Sequence, residues 1–97
     1  MDKNNGYQNK VMQILNNKKL FRFEITTEAG KLAYLEYRWK KGDMLLMRTY
    51  VPPEDRGRGV GAELAKAALA YAKENNLQVQ VFCPFIELFI GKHPEYR

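Results

Sequence analysis

At 97 residues the chain has room for one domain with one modest core and one cleft. A content of 45% hydrophobic and 28% charged residues excludes a disordered or fibrous protein. Sixteen Lys and Arg against eleven Asp and Glu leave a net charge of +5, which favours an anionic partner without choosing among nucleic acid, a phosphate-bearing cofactor and an acidic membrane.

Residues 1–10 are polar and aperiodic and read as a flexible arm ahead of a single domain over 11–97. Val11 to Leu15 reads as a short strand, followed by a turn by composition at Asn16-Asn17-Lys18-Lys19. Leu20 to Thr26 alternates, with Phe21, Phe23 and Ile25 on one face and Arg22 and Glu24 on the other. Glu28-Ala29-Gly30 turns the chain. Lys31 to Lys40 alternates again and sets Ala33, Leu35, Tyr37 and Trp39 against Leu32, Tyr34, Glu36 and Arg38. Lys41-Gly42-Asp43 predicts a tight hairpin. Met44 to Val51 is the most apolar strand and is expected inside the sheet.

Pro52-Pro53 ends this antiparallel meander, because neither proline donates a backbone hydrogen bond. A helix is predicted from about Val60 to Asn75, with Val60, Leu64, Ala67, Ala68 and Tyr71 at helical spacing. Asn75-Asn76 suits a left-handed helix end. Gln78 to Cys83 reads as a fifth strand, and Pro84 suits the first turn of a helix running to about Ile90 and ended by Gly91 and Pro94. The expected class is α/β with a mixed sheet.

The segment Arg56-Gly57-Arg58-Gly59-Val60-Gly61-Ala62 carries the chemistry. A strand ends, a glycine-rich loop follows, and a helix begins inside it. The unpaired N–H groups and partial positive charge of a helix start bind anions. Glycines let that backbone approach closely, and Arg56 and Arg58 add full charges. This is a phosphate cradle. No Gly-Lys-Ser or Gly-Lys-Thr follows, which excludes a Walker-type loop. The position after a meander, with few residues remaining, excludes a dinucleotide fold.

The same segment, with Arg56, Gly59 and Gly61 in register, resembles the motif of the GNAT acetyltransferase superfamily: Arg or Gln, two residues, Gly, one residue, then Gly or Ala. Thr49-Tyr50-Val51-Pro52, Cys83-Pro84-Phe85 and His93-Pro94-Glu95-Tyr96 extend the resemblance to a subgroup made of the core alone, over roughly Val11 to Tyr96. The resemblance implies a fold in which the fifth strand splays from the fourth to admit pantetheine. It implies acetyl-CoA as cosubstrate and an amine as acceptor, possible acceptors including a protein or peptide. Cofactor contacts fall on Val51, Arg56, Gly57, Arg58, Gly59, Val60, Gly61 and Ala62, with backbone N–H groups near Tyr50 and Val51 polarising the thioester carbonyl. Arg48 stands where the subgroup usually has a histidine, and Phe89 where superfamily members often carry a tyrosine acid. Neither can donate the proton those residues would.

Cys83 is the candidate catalytic residue. It caps the helix that Pro84 begins, which predicts an accessible, reactive thiol, and the resemblance sets it near the acetyl thioester. The ordinary role of a free cysteine is a small buried hydrophobe. His93 reads as a surface histidine, and with one histidine and one cysteine no metal site is expected. Phe21, Phe23, Tyr34, Tyr37 and Trp39 beside basic residues would suit a single-stranded RNA binder, but alternation sends most of them to the core, so nucleic acid is not the expected partner. A CoA-binding module without catalysis is the other alternative. The lone cysteine, the absence of a stretch of about 18 apolar residues and the polar N-terminus predict a cytoplasmic protein without a membrane partner.

Overall fold

The computed structural model describes residues 13–96. The predicted arm over 1–10, and the start of the first strand at Val11 and Met12, lie outside the described residues. Five strands form one sheet in the order β1-β2-β3-β4-β5. They are β1 (Ile14–Asn17), β2 (Arg22–Thr26), β3 (Leu32–Lys40), β4 (Asp43–Tyr50) and β5 (Val79–Val81). The first four are antiparallel neighbours, and β5 joins β4 in parallel after a crossover through α1 (Val60–Glu74). Helix α2 (Pro84–Lys92) follows β5. The mixed α/β class holds, with β4 inside the sheet.

Alternation decides the core. Phe23, Ile25, Ala33, Leu35, Tyr37, Met44 and Leu46 point to one face and are buried under Leu64, Ala65, Ala68 and Ala72 of α1 and Ile86, Phe89 and Ile90 of α2. Small residues on α1 let the helix approach the sheet, and Leu64 fills the gap with no solvent exposure. The helix ends in a Schellman arrangement. Asn76 takes the left-handed conformation (φ 55°), and Leu77 N–H donates to Ala72 C=O at 2.8 Å.

Four local expectations are corrected. The first strand continues through Asn16 and Asn17 instead of turning there, because Asn16 pairs with Phe23 and its Oδ1 accepts the Tyr37 hydroxyl at 2.6 Å. Leu20 and Phe21 belong to the following turn. Phe21 has φ 56° and lies exposed, edge-on to Tyr37, not in the alternation of β2. Trp39 follows Tyr37 in the alternation but lies exposed, edge-on to the Tyr37 ring. Gly91 does not stop α2, which runs on to Lys92, with Pro94 beginning a separate 3-10 turn.

One irregularity in β4 matters for the site. Glu36 pairs with Arg48, whereas the next residue of β3, Tyr37, pairs with Leu46, so Met47 is an extra residue in β4. Such a β-bulge inverts the alternation beyond it. Leu46 faces the core, and without the bulge Arg48 would too. With it, Thr49 turns inward while Arg48 and Tyr50 turn to the open face.

Truncating Leu64 to Ala should cost about 2–5 kcal/mol, a large share of the stability of a domain this size. Urea unfolding of Leu64→Ala against the parent protein measures it. A loss below about 1 kcal/mol would mean that α1 does not seat on the sheet as described.

Candidate functional site

The site grows from the place where two strands part. The parallel β4–β5 ladder runs Met44↔Val79, Leu45↔Gln80 and Leu46↔Val81 and closes with Phe82 N–H donating to Leu46 C=O at 2.9 Å. Past that bond β4 continues to Tyr50 paired only with β3, while the chain after β5 enters α2 at Pro84. A cleft of about 620 Å³ opens between them, within the size range of small-molecule sites. It is lined by residues from the end of β4 (Thr49, Tyr50 and Val51), by the loop and start of α1 (Asp55 to Ala62, without Arg58), and by Phe85.

The floor of the cleft is the start of α1. Gly57 and Gly59 have φ of 78° and 83°, the left-handed region that favours glycine. An added Cβ at either would meet nothing within 4 Å, so both present bare backbone to open space. Gly59 is the N-cap and offers no side chain to the first turn. The first intrahelical bond is Glu63 N–H to Gly59 C=O at 3.1 Å. The N–H groups of Val60, Gly61 and Ala62 are therefore unpaired and carry the positive end of a four-turn dipole. Arg56 lies beside them, its Nε donating to Val51 C=O at 2.9 Å, which orients the guanidinium along the rim. These groups together make a seat for a phosphate or diphosphate.

Gly61 is needed for a different reason. A Cβ there would sit 2.8 Å from Phe85 Cζ and 3.1 Å from Cε2, so its bareness admits the Phe85 ring against the helix start. That ring forms an apolar wall at the mouth and ties α2 to α1.

Most of the residues read from the sequence come together: Val51, Arg56, Gly57, Gly59, Val60, Gly61 and Ala62 all line the cleft. Two do not. Arg58 points away, 3.8 Å from Glu28 and exposed. Cys83, expected to be accessible, is only 3% exposed and absent from the lining, because its side chain belongs to the hydrophobic core. It is the N-cap residue of α2 as expected, but its thiol makes no capping bond and instead meets the Thr49 hydroxyl at 3.3 Å. That contact bridges β4 and the β5–α2 junction just beyond the last ladder bond. Phe89 is buried, stacked 4.5 Å from His93 and 5.4 Å from Tyr96, so the aromatic at this position serves the core. Of the five rings an RNA binder would need, Phe23 and Tyr37 are in the core, while Phe21 and Trp39 are exposed and Tyr34 is half-buried outside the core, so alternation does not send most of them inward.

Asp55 and Phe85 join the lining without a signal that sequence alone offers, since an acidic residue in a polar loop gives no hint of burial. Asp55 is 4% exposed and its Oδ2 is buried without a hydrogen-bond partner. Next to it Glu54 is held 2.7 Å from Lys31 Nζ, tying the loop before the cradle to the start of β3. The pairing raises Lys31 above its ordinary 10.5, chiefly through the Glu54 hydrogen bond, and lowers Glu54 below its ordinary 4.5, chiefly through Lys31. The tie therefore contributes fully between those two values and is lost as pH falls through the depressed Glu54 value or rises through the elevated Lys31 value. Among the described residues no group of His, Cys, Asp and Glu is placed to hold a metal ion, and no helix is long and apolar enough to cross a membrane.

The comparison with known families spans the strand end, the cleft and the helix start that carries Arg56, Gly59 and Gly61. Residues 22–97 match the family described as GCN5-related N-acetyl-transferase. The chain belongs to that family. Among curated proteins it is 43% identical over 49 residues to Protein NATD1 of Bos taurus, covering 50% of this chain and 43% of that protein. Protein NATD1 of Homo sapiens is 39% identical over 49 residues, with 50% and 43% covered. The stretch shared with these two is thus under half of their length. Protein NATD1 of Danio rerio aligns more fully, 33% identical over 91 residues, 88% of this chain and 81% of that protein.

Replacing Gly59 by Val should abolish binding of a diphosphate-bearing ligand at this helix start, since the side chain would stand in the open space above the unpaired N–H groups. The left-handed φ adds a stability cost of about 1–2 kcal/mol. Gly42, at φ 87° in the β3–β4 hairpin, is the matched control: Gly42→Val carries similar strain far from the cleft. Calorimetric titration should show loss of binding in Gly59→Val alone. Equal binding by both variants would move the anion seat away from α1.

Proposed function

We propose that this protein is an N-acetyltransferase that takes its acetyl group from acetyl-CoA and passes it to an amine. The observation that carries the reading is the uncapped start of α1, with its unpaired N–H groups and the Arg56 guanidinium facing a cleft at the end of β4. This donor set suits the cofactor's diphosphate, and the family gives the reaction its class. Under this reading Gly57, Gly59, Val60, Gly61 and Ala62 hold the diphosphate through backbone groups, and Arg56 adds charge at the rim.

Bound there, acetyl-CoA supplies an acetyl group already activated as a thioester. The protein's share is positioning and exclusion of water. Beyond Leu46 the β5-facing side of β4 has lost its strand partner, so backbone groups near Tyr50 and Val51 are available to the amides of the pantetheine arm and to the thioester carbonyl. Phe85 shields one side. Buried against Thr49, Cys83 fits a positioning part: the pair pins β4 to the head of α2 and so holds the width of the cleft at its thioester end.

Proton handling follows from what lines the cleft. The sole histidine, His93, stacks on Phe89 at the far end of α2, and the one lining carboxylate, Asp55, is buried beside the phosphate seat. Among the described residues that line the cleft there is no histidine, cysteine or glutamate to serve as a general base. The acceptor amine then has to arrive neutral and release its proton to solvent as the carbon–nitrogen bond forms. With a lysine-type acceptor of ordinary pKa about 10.4, kcat/KM should rise about tenfold per pH unit from pH 7 to 9 without levelling. A plateau near pH 7 would reveal a base that the cleft does not present. Acetyl transfer to a broad amine panel, followed by mass spectrometry, is the direct assay.

A further inference from the structure

The face of the sheet opposite the helices carries a polar cluster that the cofactor reading leaves unused. Register sets Arg22 against Glu36, Glu24 against Tyr34, Glu36 against Arg48 and Tyr34 against Tyr50, so these side chains share the open face. The Tyr34 ring is the hub. The Arg22 guanidinium lies 4.8 Å from its centroid, the Arg48 guanidinium 6.0 Å and the Tyr50 ring 5.5 Å.

The two arginines differ in what they have left to give. Arg22 is engaged by Glu24, which also accepts from Asn17. Arg48 is exposed and donates from Nη2 to the Tyr34 hydroxyl at 3.3 Å, and no carboxylate among the described residues lies within ion-pair distance of it. Most of its N–H donors therefore face solvent in the planar fork that matches a carboxylate. The bulge at Met47 is what turns Arg48 outward. Tyr50, touching Tyr34 on one side, lines the cleft on the other, so the free guanidinium sits one ring pair away from the β4 end of the cleft.

We propose that Arg48 is a specificity residue for the acceptor, selecting an amine that carries a carboxylate close to its reacting nitrogen, as an acidic peptide does. The inference rests on the acetyltransferase reading above. The Tyr34–Tyr50 pair gives the acceptor backbone an aromatic wall, and Arg48 fixes its acidic side chain by a charge-assisted bond. Glu36, the cross-strand neighbour of Arg48, tempers the attraction and rejects acceptors with a second negative charge.

The test uses CoA joined through an acetyl linker to short peptides identical except for Glu, Gln or Lys beside the linked amine, so that affinity is read without turnover. The Glu conjugate should bind the parent protein about fivefold more tightly than the Gln conjugate, as expected for one exposed charge-assisted contact, and the advantage should shrink with added salt. Arg48→Gln should erase that ratio while leaving CoA affinity unchanged, and Glu36→Gln should widen it. Normal CoA binding with no preference for the Glu conjugate overturns this inference alone. A fall in CoA affinity in Arg48→Gln also overturns it, by assigning Arg48 to the cofactor. Failure of CoA itself to bind the parent protein removes the acetyltransferase reading and this inference with it.

Discussion

The hydrogen bond from Phe82 N–H to Leu46 C=O is the last rung between two parallel strands, and the cleft begins where it ends. Had β5 continued beside β4, the backbone of Met47 to Tyr50 would be consumed in the ladder, and no strand backbone would be left to receive a ligand. Pro84 prevents that continuation. It lacks the N–H that the next rung would need, and it fixes φ for the first turn of α2. One imino acid thus both opens the cleft and starts the helix that walls it. The contact between Thr49 and Cys83 then stops the strands from parting further. The thiol is buried, and around the helix start the lining of the cleft is mainly backbone.

A chain this short obtains a cleft by giving several residues two tasks. The face of α1 that buries Val60, Leu64, Ala65 and Ala68 anchors the helix, and that anchoring aims its free N–H groups at the cleft. Phe85 packs on Gly61 and at the same time walls the mouth. The Met47 bulge sends Thr49 inward to Cys83 and Arg48 outward to Tyr34. The orphaned Asp55 oxygen is the one element of the site that opposes an anion, and it has no partner among the described residues. A buried carboxylate oxygen left unpaired is a cost to the fold.

Alternation in β3 and helical spacing in α1 made the core and the layer order legible from the residues alone. The prolines and glycines marked the ends. The cradle was legible because Gly57 and Gly59 adopt the conformation only glycine takes freely, and Arg56 adjoins an uncapped helix. What alternation conceals is a change of phase. The extra residue at Met47 has no composition signature, so the facing of Arg48, Thr49 and Tyr50 emerges only from register. The burial of Cys83 is hidden for a related reason: the cap position is readable, but its burial depends on the core it shares with Ile86, Phe89 and Ile90, which only the tertiary packing assembles. Asn16 has the composition of a turn residue, and the partner that holds it in β1, the Tyr37 hydroxyl, is twenty-one residues away.

The central claim is that backbone amides at the start of α1 bind the diphosphate of CoA. Amide chemical shifts in a 15N-labelled sample, titrated with CoA and separately with inorganic diphosphate, test it most directly. The largest changes on both titrations should fall on Gly57 to Ala62, with CoA alone extending them along Thr49 to Val51. Shifts concentrated on the open sheet face around Arg22 and Arg48, with the α1 amides unmoved, would contradict it.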